Sequence, residues 1–189
     1  MKINSNAALG LASQPLLLAL MFFLASPAGA EVEQTLSFEG ISCTLNTPDR
    51  YGVTERIMQI GKTFVLSDSS WDKTDSSALN ISIIPSRNAN GSEMLEGVLD
   101  PYRRSLTNYK EINQKSVKIN GARFQSKKFT GVFPNGSATD GFVFVTVKEG
   151  IYFILIAEGS GEARADSTAQ LLKSVKSFQI HQKAVKQAN

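Results

Sequence analysis

The 189-residue chain has a single cysteine, a single histidine and, after its first 25 residues, no apolar run long enough to cross a bilayer. One cysteine excludes an internal disulfide. Cys43 lies in Ile41-Ser42-Cys43-Thr44-Leu45, where Ile41, Cys43 and Leu45 share one strand face, so it reads as a small core hydrophobe rather than a reactive thiol. One Cys and one His give no zinc-ligand cluster. A serine hydrolase would need a histidine base; His181 stands near the C-terminus, and no Gly-x-Ser-x-Gly elbow occurs. An excess of one charge is also missing: 20 basic residues face 17 acidic ones, too even a balance for a chain whose main partner is nucleic acid.

What is present begins with a leader. Lys2 is followed by the apolar stretch 16–25 and by Ser26-Pro27-Ala28-Gly29-Ala30, the pattern of a secretory signal peptide cut before Glu31. Its apolar core is short of the roughly 20 residues of a spanning helix, and no cysteine at the cut offers a lipid anchor. Removing Lys2 with the leader leaves a formal charge of +2. Residues 31–180 are read as one domain and 181–189 as a polar tail.

The strongest pattern is 141–157, two β-branched and aromatic runs around Glu149-Gly150. It predicts a hairpin. Both faces of both strands are apolar, so the hairpin is expected at the centre of a sheet covered on both sides, by helices. Further strands are expected over 35–47, 78–84, 112–119 and 122–133, the last two joined at Asn120-Gly121. The run 56–67, broken by Gly61-Lys62, reads as a bulged strand or a hairpin. Met94, Leu95, Val98, Leu99, Tyr102, Leu106 and Tyr109 make a helical stripe, with Asn90 or Ser92 as cap. Pro101 predicts either a kink or a fresh helix start there. A second helix is expected over 162–177, with Ala165, Ala169, Leu172 and Val175 inward. The fold class is α+β: a single-domain αβα sandwich of mainly antiparallel sheet with helices on both faces.

Motifs for chemistry fail on inspection. Gly61-Lys62-Thr63 lacks the earlier glycine of a phosphate loop, since position 56 is Arg. Gly159-Ser160-Gly161 opens a helix but has Arg164 where a dinucleotide fingerprint needs its third glycine; it reads as a strand-to-helix turn with Ser160 as a cap. Asp68, Ser70 and Asp72 have calcium-ligand spacing, but Lys73 and Leu79 replace the required Gly and Glu. No catalytic residue, metal or cofactor is assigned. Partner contact is left to a small set of residues: Trp71, with Asp68 and Asp72, in the polar loop 68–77, Arg103 and Arg104 on the first helix, and Ser160 and Arg164 at the start of the second. Trp71 is either an exposed anchor or a plug folded back on the core.

Three stretches carry a family resemblance. Ile41 to Tyr51, a strand running into Pro48 and then an aromatic, is similar to the opening of the PsbP and DcrB-like families, with Tyr51 in the place of their usual Trp. Val117-Lys118-Ile119-Asn120-Gly121 resembles their mid-chain hairpin. Tyr152 to Ala157, followed by Leu171 to Phe178, resembles their closing strand and helix ending in Ser-Phe. The resemblance covers nearly all of the chain after its leader and implies an antiparallel sheet between helices. It implies non-enzymatic adaptors, assembly factors or envelope proteins; no catalytic residue, photosystem contact or metal ligand carries over.

The resulting expectation is an exported, non-enzymatic envelope protein that binds another envelope protein or assembly. The alternative is a carrier of a small apolar or lipid ligand between the sheet and the 94–109 helix; a hydrolase of unknown type is third.

Overall fold

The computed structural model describes residues 30–68, 76–113 and 116–182. In chain order the elements are β1 (Glu31–Phe38), β2 (Ile41–Pro48), β3 (Gly52–Met58), β4 (Gly61–Ser67), β5 (Ser76–Pro85), α1 (Gly91–Ser105), β6 (Thr107–Asn113), β7 (Val117–Ile119), β8 (Ala122–Val132), β9 (Ala138–Lys148), β10 (Ile151–Ser160), α2 (Arg164–Ser177) and β11 (Gln179–Gln182). The leader, Trp71 and Asp72 lie outside the described residues.

The apolar 141–157 hairpin is central. β10 pairs along its length with β9 on one side and β5 on the other, and Glu149-Gly150 turns with both φ positive, at 50° and 74°. That left-handed pair is what a two-residue hairpin requires. The sheet runs β3-β4-β5-β10-β9-β8-β6, with β7 attached to β8, and every pairing is antiparallel. On one face Leu95 and Leu99 of α1, with its C-cap Leu106, pack onto Phe129, Val143, Val145 and Ile154. On the other, Leu171, Val175 and Phe178 of α2 and its end meet Phe144, Phe153 and Leu155. This is the expected α+β sandwich.

The second face differs from expectation in one respect: helix is only part of its cover. A separate three-stranded sheet, β1-β2-β11, shares it and sends Leu36, Cys43 and Leu45 into the same core. The run 35–47, read as one strand, is therefore two, reversed at Glu39-Gly40 with φ of 49° and 80°. His181, read as tail, lies in β11, where its ring is 2.8 Å from the Thr44 hydroxyl. The run 112–119 is likewise split between β6 and β7, and 56–67 is a hairpin rather than a bulged strand.

Pro101 does not start a fresh helix; it lies inside α1, which is continuous from Gly91 to Ser105. Asn90 caps it, its side-chain oxygen accepting from the N–H groups of Ser92 and Glu93 at 3.1 and 3.5 Å. The bond that Pro101 cannot make would go to Gly97, an exposed residue without a Cβ to crowd the ring. The carbonyl left over faces water, so the cost of an interior proline is reduced.

α2 begins at Arg164 and buries Thr168, Leu171, Ser174 and Val175, while Ala165 and Ala169 are exposed, contrary to the stripe expected. The reason is a close approach. A Cβ at Gly159 would collide with the Arg164 carbonyl and the Thr168 hydroxyl, so the helix rests on a bare stretch of β10 through a small polar side chain. Thr168 then spends its hydroxyl on the Asp140 carbonyl at 3.2 Å.

Candidate interaction surface

The described residues among those expected to contact a partner do not converge. Arg103 belongs to a closed ring of charges on the α1 face: it bonds Glu96 and Glu111 at 2.5 Å each, and Lys127 bonds the same two at 2.6 and 2.9 Å. Tyr109 donates to Glu111 at 2.8 Å. The hydrogen bond from Arg103, with those from Lys127 and Tyr109, holds the Glu111 carboxyl down to about 2. Two acids and two bases neutralise one another, so Arg103 ties α1 to β6 and β8. Arg104 is exposed and pairs with Asp100, one turn back. Arg164 lies on the opposite face, bonded to the Gly161 carbonyl at 2.9 Å and 3.4 Å from Asp140. Ser160 is the last residue of β10 and not a cap; its hydroxyl is 2.7 Å from that of Ser76, and Ala163 caps α2 without a side-chain bond. Asp68 is half-buried just after β4.

Of the internal polar groups, the hydroxyls of Thr47 and Ser126 are buried with no hydrogen-bond partner among the described residues. Glu158 on β10 accepts from Tyr102 and Thr139, both at 3.0 Å, and burial raises its carboxyl above the usual range. Burial pushes the Cys43 thiol up to about 12. Among the described residues there is no group of three or more His, Cys, Asp or Glu placed to hold a metal.

What stands out is an edge. A sheet edge presents unpaired backbone donors and acceptors, and natural proteins guard it with bulges, prolines, charges or short strands. Among the described residues, three of the four sheet edges are bulged, short or acidic. β6 is bulged between Thr107 and Lys110, with Asn108 at φ 51°. β1 carries exposed Glu31 and Glu33, and β11 is four residues long. β3 carries Glu55 and Arg56 but has neither a bulge nor a proline and is not short. It is a regular seven-residue strand, and every residue of it is exposed. Ile57 is 85% and Ile60 66% exposed, with Val53 and Met58 also in water. Ile57, Met58 and Ile60 fall in the expected run 56–67, and Val53 outside any expected strand. Sequence alone carries no sign that they face solvent, because their side of the sheet is decided by a register that only the fold supplies.

The turn sets which groups point outward. Met58 pairs with Gly61 across a two-residue loop, so these two exchange both backbone bonds. Alternation from that pair leaves the N–H and C=O groups of Val53, Glu55 and Ile57 directed away from β4. Gly61 is required at the turn, since a Cβ there would strike the Ile83 carbonyl on β5. On the same face as Glu55, Lys62 bonds it at 2.6 Å and sits 5.0 Å above the Phe64 ring. On the other face Arg56 has no ion-pair partner among the described residues.

No helix among the described residues is long and apolar enough to cross a membrane. No family model matches the sequence, and no curated protein does. Solved structures do. The solution structure of cyanobacterial PsbP (CyanoP) from Synechocystis sp. PCC 6803 is similar with a TM-score of 0.52 and 16% identity, over 82% of this chain and 96% of that one. LpqN, described as involved in cell envelope biogenesis of Mycobacterium tuberculosis, gives 0.47 and 14% over 80% of this chain and 92% of that one. A Bacteroides thetaiotaomicron VPI-5482 protein gives 0.47 and 13% over 75% of this chain and 46% of that one. The two at 0.47 are too remote to bear on the fold. At 16% identity the likeness to CyanoP is one of fold alone, and the fold this chain adopts is the PsbP-like one.

Proposed function

We propose that the protein is an exported, non-enzymatic adaptor that holds another envelope protein or assembly at the β3 edge of its sheet. The observation that carries this reading is the long, regular edge itself: seven exposed strand residues, with backbone groups of Val53, Glu55 and Ile57 directed outward and Ile57 and Ile60 in water. An edge of this kind accepts an extended segment as an additional strand, main-chain bonds supplying affinity and alternate side chains specificity. Export rests on the leader, with its cut before Glu31, the residue at which β1 opens. The absence of chemistry rests on how the reactive groups are spent: Cys43 is buried, Glu158 is held by two hydroxyls, and the His181 ring is bonded to Thr44.

The carrier alternative places its ligand between the sheet and α1. That interval is filled by Leu95, Leu99, Leu106, Phe129, Val143, Val145 and Ile154, all nearly inaccessible to solvent. The test is a photo-crosslinking residue placed in cells at Ile57 and, as control, at exposed Lys173 on α2. A discrete adduct from position 57 alone is expected, lost on Ile60→Asp with no loss of stability. Identical patterns from both positions, or none from 57, refute the reading.

A further inference from the structure

The β3 edge discriminates between occupants by charge. Consider first a second copy of the chain. An antiparallel pair of β3 strands that uses all the outward groups of Val53, Glu55 and Ile57 has one register of full overlap, centred on Glu55. It sets Val53 against Ile57 twice, which is favourable. It also sets Glu55 against Glu55 and leaves Arg56 facing Thr54. Like charges directly opposite are destabilising, and the Lys62 beside each Glu55 is already bonded to its own chain. Glu55 thus stands in the one place where it opposes self-pairing.

A different chain has no such conflict. Opposite Val53 and Ile57 the face is apolar. Opposite Glu55, which Lys62 already matches, an uncharged residue suffices. Opposite Arg56, which has no ion-pair partner among the described residues, an acid is favoured. We infer that β3 takes an antiparallel extended segment of another protein whose sequence runs apolar, acidic, uncharged polar, uncharged polar, apolar, with the acid paired to Arg56. The inference rests on the proposed role of this edge and specifies what occupies it.

The probe is a blocked peptide, Ser-Val-Glu-Thr-Thr-Val-Ser, titrated into the 15N-labelled protein and followed through the backbone amides of β3 and β4. The control peptide has Lys in place of Glu. The acidic peptide is expected to bind about three- to ten-fold more tightly, since each cross-strand charge pair contributes a modest amount of either sign, and Arg56→Glu is expected to invert the order. Shifts confined to β3 and β4 mark the site, and Ile57→Asp abolishes them. Sedimentation of the protein alone is expected to show a monomer, with Glu55→Thr increasing self-association. Equal binding of both peptides overturns the inference, as does a β3-mediated dimer of the unaltered protein. If position 57 still crosslinks to a partner in cells, the adaptor role survives that result; if it does not, both fall together.

Discussion

The ring of Phe129 on β8 lies across Gly141, its cross-strand neighbour on β9, in the space where any other residue would carry a Cβ. Tyr102 of α1 packs on the same ring with centroids 4.4 Å apart, and Tyr109 approaches it at 6.3 Å. A glycine in mid-strand ordinarily weakens a sheet; here it admits the aromatic ring that joins α1 to β6, β8 and β9.

Gly141→Ala is therefore expected to destabilise the protein by about 1–3 kcal/mol, the cost of forcing an extra carbon into a packed site. Urea unfolding measures it. Phe129→Leu should recover part of the loss when combined with it, because the two positions share one volume. Additive losses would show that Phe129 is not what excludes the side chain.

Tyr102 also donates to Glu158, so the same helix satisfies a carboxyl that burial keeps above its usual range. A raised carboxyl contributes stability that is present below its unfolded pKa and lost as pH rises through the folded one. Glu158→Gln carries no such penalty. The variant is expected to gain on the unaltered protein as pH goes from 4 to 8, while Tyr102→Phe loses about 1–2 kcal/mol at neutral pH by leaving the acid short of a donor. Parallel stability profiles for Gln and Glu would refute the raised carboxyl.

Glu111 has the opposite sign. Arg103, Lys127 and Tyr109 hold it down to about 2, so its contribution is complete above the unfolded value and is lost as pH falls toward 2. Glu111→Gln is expected to cost about 1–3 kcal/mol at pH 7, discounted for a side chain still 20% exposed. The two proteins should converge in stability near pH 2. A constant difference down to that pH would mean that the ring of charges contributes nothing through this carboxylate.

The central hairpin, the Asn120-Gly121 turn and the α1 stripe as far as Tyr102 were legible because their signals are local: a left-handed turn pair, a two-residue period and a 3.6-residue period; Leu106 and Tyr109, read into that stripe, lie past the helix end at Ser105, Tyr109 in β6. The inward face of α2 was legible only in part: Val175 is buried as expected, but Thr168 and Ser174 share the packing with Leu171, and polar residues reveal a buried face only when the glycine beneath them is known. Glu39-Gly40 holds the same kind of turn as Glu149-Gly150, but weaker flanking strands let 35–47 pass as one. The β3 edge was invisible for another reason. Ile57 reads like any strand isoleucine, and its exposure follows from β3 being last in the sheet, a property of topology and not of spacing.

The carrier alternative makes its own prediction about the α1 face. Ile154, 3% exposed, stands with Val143, Val145 and Leu99 under the helix, where a ligand-binding protein would have room. A filled interface of this kind gives the unaltered protein no affinity for a small apolar probe such as benzene. Ile154→Ala is expected to cost about 2–5 kcal/mol and to open a dry cavity that such a probe can enter, because the surroundings relax only in part. Thermal unfolding with and without benzene separates the cases. Stabilisation of the variant alone fits a solid core; stabilisation of the unaltered protein to the same degree would mean that a pocket already exists, and would put the carrier reading ahead of the adaptor.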